Sequence, residues 1–158
     1  IGVTTAIYSE TGEFAGIGFA IPSNTVAKVV RSIIETGRYQ HPWIGIAGVD
    51  VNMEIARIMG LPEARGFLIT EIAEGSPAEK AGLRAGTRTV SIRVDGRIRE
   101  VRVGGDVILA VDGVKIFGIA DLLAYLEEYK RPGDAITLTV YREGKLVDVN
   151  LTLGAIPP

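Results

Sequence analysis

EGSPAEKAGL (74–83) and GGDVILAVDG (104–113), with WIGI (43–46) upstream, are the stretches on which the reading of this chain turns. In the first, Ser76 can cap a helix whose opening position is Pro77, where a missing N–H costs nothing. Gly82 closes that helix after barely two turns, at a position that favours a left-handed residue. In the second, Val107, Ile108, Leu109, Ala110 and Val111 form an apolar run too short for an ordinary helix. The turn pair Asp112-Gly113 stops it, so it reads as a short strand.

Working outward from Trp43, strands are expected at 43–48, 66–72, 107–111, 135–142 and 146–153. Helical turns are expected over Met53 to Met59 and Ala78 to Gly82, and a longer helix over Ile119 to Tyr129. Between Leu83 and Gly104, the alternation of Val90, Ile92 and Val94, then Asp95-Gly96, then Ile98, Val101 and Val103 suggests an inserted β-hairpin at about 86–104. A two-residue loop pairs Val90 with Val101 and places Ile98 opposite Arg93, whereas a three-residue loop pairs Val94 with Ile98. The pattern does not choose between them.

Toward the amino end, Gly2 to Tyr8 and Ala15 to Ile21 read as two strands around a polar loop. Pro22-Ser23-Asn24 breaks the second and is expected to cap a helix carrying Val26, Val29, Val30, Ile33 and Ile34 at helical spacing, ended by Gly37. Two strands and one helix are too little for an independent core. Residues 38–42 form a linker. Ile1 stands where a strand is already under way and is not an initiator methionine, so a truncated piece or proteolytic fragment is expected.

The chain has 158 residues, 47% of them apolar, and a formal net charge of −2. It has the means to bury a core and no general pull toward nucleic acid or anionic membrane. With no cysteine, disulfides, zinc–thiolate sites and a cysteine nucleophile are excluded. No run of eighteen apolar residues occurs that would span a bilayer as a helix. Neither a metal nor a cofactor is expected: Glu71, Glu74 and Glu79 have no histidine nearby, and no phosphate-binding glycine loop is present.

The stretch from Trp43 to about Leu153 resembles a PDZ domain, and GIGFAIPSN (16–24) resembles the end of the trypsin-like domain of an HtrA-type serine protease. The resemblance implies a mainly β (α+β) fold with short helices. It divides the chain into a remnant of a trypsin-like β-barrel domain at 1–37, a linker at 38–42 and a PDZ-like small barrel at 43–154. It also implies that Ala6 and Ile17 belong to the wall of the parent's specificity pocket, that the loop from Tyr8 to Ala15 matches an activation loop, and that the parent acts outside the cytoplasm.

The residues themselves offer a peptide site. An extended ligand can add a strand to a sheet edge, and a glycine-bearing loop can aim several N–H groups at its terminal carboxylate. Ile44, Gly45 and Ile46 fit the carboxylate loop; Trp43, Ala47 and Gly48 flank it on the strand side. Opposite, Ile119, Leu122, Leu123 and Leu126 at i, i+3, i+4 and i+7 give a groove helix an apolar face. From spacing alone, the same residues serve equally well as a core strand and a core helix.

Catalysis is not expected from this chain. A serine protease needs a nucleophile, a histidine base and an orienting carboxylate; the lone histidine is His41, and Ser9, Ser23, Ser32, Ser76 and Ser91 lie in no nucleophile context. The expected partners are polypeptide carboxy termini or unfolded proteins, with no nucleic acid. The rival readings are a non-enzymatic scaffold and a self-assembling homo-oligomer whose groove takes the apolar tail, residues 153–158, of a neighbouring copy. Arg84, Arg88, Arg93, Arg97, Arg99 and Arg102 make the inserted hairpin basic, which by default is a solvated face.

Overall fold

VILAV (Val107–Val111) is buried along its whole length, and its side chains feed two cores, with the alternation shifted where the pairing with the strand over 135–142 skips Leu109. Ile108 and Val111 belong to one apolar cluster, Val107 and Leu109 to another. A strand covered on both faces reads as a continuous apolar run. In the computed structural model, which describes residues 1–8, 18–94 and 97–157, the chain divides into two units, Ile1–Gln40 and His41–Pro158.

The first unit holds β1 (Gly2–Ile7), β2 (Gly18–Pro22) and α1 (Ser23–Thr36). β1 and β2 pair antiparallel with an irregularity between Thr4 and Ala6. The expected side-chain cap of α1 does not form: Pro22 occupies the cap position, and Asn24 Oδ1 accepts instead from the neighbouring Thr25 N–H. Gly37 closes the helix in the left-handed region, its N–H donating to Ile33 O at 2.8 Å. No described residue of this unit is buried.

The second unit runs β3 (Pro42–Trp43), β4 (Ile46–Asp50), α2 (Met53–Met59), β5 (Phe67–Ile72), α3 (Pro77–Lys80), β6 (Arg88–Val94), β7 (Arg97–Val103), β8 (Val107–Val111), β9 (Val114–Lys115), α4 (Ile119–Tyr129), β10 (Ala135–Arg142), β11 (Lys145–Thr152) and β12 (Gly154–Ala155). Its main sheet has the order β11-β10-β8-β5-β4, with β9 beside β8. The order is open, with β11 and β4 at its ends, so the small barrel does not close. β3 pairs with β12 as a separate ribbon. The strand expected over 43–48 is therefore two strands, broken at Ile44-Gly45. Gly45 has φ +87°, which a continuing strand cannot accommodate.

One apolar cluster lies between the sheet, α3 and α4, and includes Ile44, Ile69, Leu122, Leu126, Leu138 and Val149. The other lies under α2 and the inserted hairpin, and includes Ile55, Leu68, Ile92, Val101 and Val103. The hairpin takes the two-residue register, with Val90 opposite Val101, Arg93 opposite Ile98 and Val94 opposite Arg97. Its inner face roofs the second cluster; on its outer face Thr89, Ser91, Arg93, Ile98, Glu100 and Arg102 are exposed. Asp106, fully buried, ties the hairpin's exit to β10: it accepts from Arg142 Nε and Nη2 at 2.7 Å each and from the Arg84 N–H at 2.9 Å. A bidentate, charge-assisted pair of this kind offsets the cost of burying the carboxylate.

Candidate peptide-binding site

Ser76 organises the loop at Gly45 from below. It caps α3 as the sequence implies, its Oγ accepting from the Glu79 N–H at 3.2 Å while the Glu79 carboxylate accepts from the Gly75 N–H at 2.7 Å. This reciprocal pair satisfies one helix-start donor, the Glu79 N–H, and the N–H of Gly75 just before the cap. Ser76 is fully buried because the Gly45 loop lies on it. A Cβ at Gly45 would stand 2.2 Å from Ser76 Cβ and 3.2 Å from the Trp43 ring. Both the left-handed φ and the close approach therefore require glycine here.

The loop's carbonyls are engaged inward. Ile44 O accepts from the Ala78 N–H and Gly45 O from the Ala73 N–H, each at 2.9 Å. Among the described residues, the Ile44 and Gly45 amides donate to no backbone acceptor. Donors left over beside a glycine bend are of the kind that can line an anion-binding concavity. Directly after the bend, β4 begins at the end of the sheet order, so its second edge pairs with no strand among the described residues.

β4 is two-faced. Ile46 pairs with Ile72 and Gly48 with Ile69, whose side chains belong to or pack on the cluster under α4; Val49 pairs with Leu68 of the other cluster. Ile46, Gly48 and Asp50 thus look toward α4, and Ala47 and Val49 look away. Asp50 fastens the two walls together: its Oδ1 accepts from the Ile119 N–H at 2.7 Å. Gly118 leaves room for this carboxylate, since a Cβ there would sit 2.7 Å from it. At the other end of α4, His41 Nδ1 and Glu127 Oε1 are 2.6 Å apart, which ties the segment entering β3 to the same helix.

Along α4, Leu122 and Leu126 are 1% and 2% exposed in the core, Ile119 is half-buried against it, and Leu123 is 52% exposed. The helix's carboxy end is held by Asp112, which accepts from Lys130 Nζ at 2.7 Å, the Tyr125 hydroxyl at 3.1 Å and the Thr137 N–H at 2.7 Å. Burial alone raises the Asp112 carboxyl, but these three donors outweigh it and hold it below the usual aspartate value.

Of the other residues singled out in the sequence, Trp43 is half-buried on β3, and Ala6 is an exposed residue of β1 paired with Phe19. Ile17 and most of the loop from Tyr8 to Ala15 lie outside the described residues. Leu153 is buried and Gly154–Ala155 form β12, so the tail proposed as a neighbour's ligand is largely used by its own domain. The sequence reading missed Asp50, because it ended the strand at Gly48 and so left the carboxylate outside any element. A lone Asp closing an apolar run and followed at a distance by a capless helix start at Gly118 is the available signal. Among the described residues, no group of His, Asp and Glu is arranged to hold a metal.

The PDZ domain family model matches residues 42–153. A "Probable periplasmic serine endoprotease DegP-like" of Bartonella henselae is 38% identical over 157 residues, 99% of this chain and 27% of the relative. A "Probable periplasmic serine protease do/HhoA-like" of Haemophilus influenzae is 36% identical over 98% of this chain and 29% of its own length. The chain thus spans under a third of the curated relatives it matches. Among solved structures, the HtrA-type protease AlgW with a decapeptide superposes at TM-score 0.69 and 31% identity, over all of this chain and 42% of that one. The chain belongs to the PDZ domain family, in the form found in HtrA-type serine proteases.

Proposed function

We propose that residues 43–154 capture the carboxy terminus of a polypeptide, or an apolar stretch of an unfolded one, on the free edge of β4. The amides of Ile44, Gly45 and Ile46 hold the terminal carboxylate. The ligand backbone pairs with Ile46, Ala47 and Gly48, beside Trp43, and main-chain hydrogen bonds supply sequence-independent affinity. Its last side chain lies between Ile46, Ile119 and Leu123, over a floor set by Leu122 and Leu126. The observation that carries this reading is the conjunction at Gly45: carbonyls engaged inward and, among the described residues, Ile44 and Gly45 amides without backbone partners and an unpaired sheet edge starting at the next residue.

The reading extends to the parent. The relatives named as periplasmic serine endoproteases and the peptide complexes of AlgW support a domain that delivers substrate to, or switches, an extracytoplasmic serine endopeptidase. Residues 1–37 then belong to that protease domain, with Ala6 and Ile17 in its specificity pocket and 38–42 as the connection. Homo-oligomerisation belongs to the same parent.

The test is a titration of matched peptides ending in an apolar residue, as free acid and as amide. The acid is expected to bind at least about tenfold tighter, the scale of one or two charge-assisted hydrogen bonds. Equal binding of the two forms contradicts the assignment of the Gly45 loop.

A further inference from the structure

The side of β4 that faces away from α4 carries a second feature, an open cleft of about 310 Å³. Val49, Thr70, Glu71, Thr89, Glu100 and Arg102 line it. Two departures from regular structure create it. The β4–β5 ladder slips between Ala47 and Gly48, which pair with Glu71 and Ile69, leaving Thr70 as the extra residue of a bulge. The extra residue turns both Thr70 and Glu71 to the same side, while Ile69 and Ile72 stay with the α4 core. The inserted hairpin then supplies the opposite wall through Thr89, Glu100 and Arg102.

A strand added antiparallel to β4 meets this cleft by geometry. Residues directly opposite one another in a ladder point to the same face, and the faces alternate. With the ligand's last residue opposite Ile46, toward α4, the penultimate residue lies opposite Ala47 and the fourth from the end opposite Val49. Both then point into the cleft. Glu71 is the cross-strand partner of Ala47, two strand spacings or about 9.5 Å from the ligand backbone. Ala47 interposes only a methyl group. A long side chain can lie across it and meet the Glu71 carboxylate.

The charges favour one sign. Glu100 and Arg102 stand two residues apart on one face of β7, about 7 Å from each other, so their fields largely offset. Glu71 lies nearest the ligand edge, and among the described residues it makes no hydrogen bond or ion pair by its side chain. We propose that this cleft is a second specificity subsite that selects a basic side chain, lysine or arginine, at the penultimate position of the peptide, with Glu71 as its anchor. The inference rests on the carboxylate-loop reading above and adds the chemistry of the residue beside the terminus.

The test uses the whole chain and three labelled peptides identical except for Lys, Ala or Glu at the penultimate position, each also as its amide. At low salt the Lys peptide is expected to bind roughly tenfold tighter than the Glu peptide, with the gap closing at about 0.5 M salt. In Glu71→Gln, the Lys peptide falls to the level of the Ala peptide and the Ala peptide is unchanged, which also shows that the variant is folded. Acid-dependent binding with no preference, or with Glu preferred, overturns the subsite and leaves the carboxylate loop standing. No difference between acid and amide in any of the three overturns both.

Discussion

In Ile1–Gln40, α1 carries Val26, Val29, Val30, Ile33 and Ile34 along one stripe, yet Val30, Ile33 and Ile34 are 46%, 48% and 79% exposed and no described residue is buried. In His41–Pro158, α4 carries a stripe of the same kind, from Ile119 to Leu126, and sinks Leu122 and Leu126 to 1% and 2%. Local pattern is equivalent in the two helices; what differs is whether a second layer exists to receive the stripe. Two strands and a helix give one layer and an edge, whereas the second unit sets helices against both faces of a sheet. Its stability is therefore its own, and its loops can be held rigidly enough to present backbone amides.

The contrast can be broken most severely at Asp106. Asp106→Ala removes a fully buried carboxylate from the half-buried Arg142 guanidinium and the Arg84 N–H, and is expected to cost about 3–5 kcal/mol of the second unit's unfolding free energy, read by chemical denaturation. Leu122→Ala should cost about 2–5 kcal/mol by the same measurement, through lost burial and a cavity. A smaller stability loss, about 2–4 kcal/mol from left-handed strain and crowding against Ser76, is expected for Gly45→Ala. This variant should also stop binding peptide acids under conditions where it remains folded.

A finer effect lies at Asp112. Its carboxyl is held below the ordinary value in the folded state, so its contribution is fully present above the unfolded value of about 3.9. That contribution is lost as pH falls through the lower, folded value. Asp112→Asn should flatten that acid-side decline in an unfolding series between neutral pH and pH 2. Smallest of all, Ile34→Ser in the first unit should change the unfolding of His41–Pro158 by less than about 0.5 kcal/mol. A large change there would show that the two units do not differ as described.

How much of this was legible in the sequence differs by element. Met53–Met59, Val107–Val111 and Ala135–Arg142 were readable to the residue because period, caps and turn pairs agree there. The hairpin was readable as a hairpin but not in register, since both loop lengths satisfied half its apolar positions; packing of Ile92, Val101 and Val103 on α2 decides it. A glycine loop at Gly45 was legible, yet the strand expected over 43–48 ran through it; the close approach of Ser76, thirty-one residues away, which also demands glycine there, was not legible. The bulge at Thr70 was not legible at all, and the Asp50 cap on α4 only faintly, as an Asp closing an apolar run and a helix start at Gly118 with no cap of its own. Both exist only once β4, β5 and α4 are side by side.

The most direct measurement of the peptide-capture claim follows backbone amide resonances by NMR as a peptide acid with an apolar last residue is added to the folded chain. The Gly45 and Ile46 N–H signals are expected to move downfield and their exchange with solvent to slow, with Gly48 following as β4 gains a neighbour. Perturbations confined to other surfaces, with the Gly45 and Ile46 amides unmoved at saturation, would contradict the account.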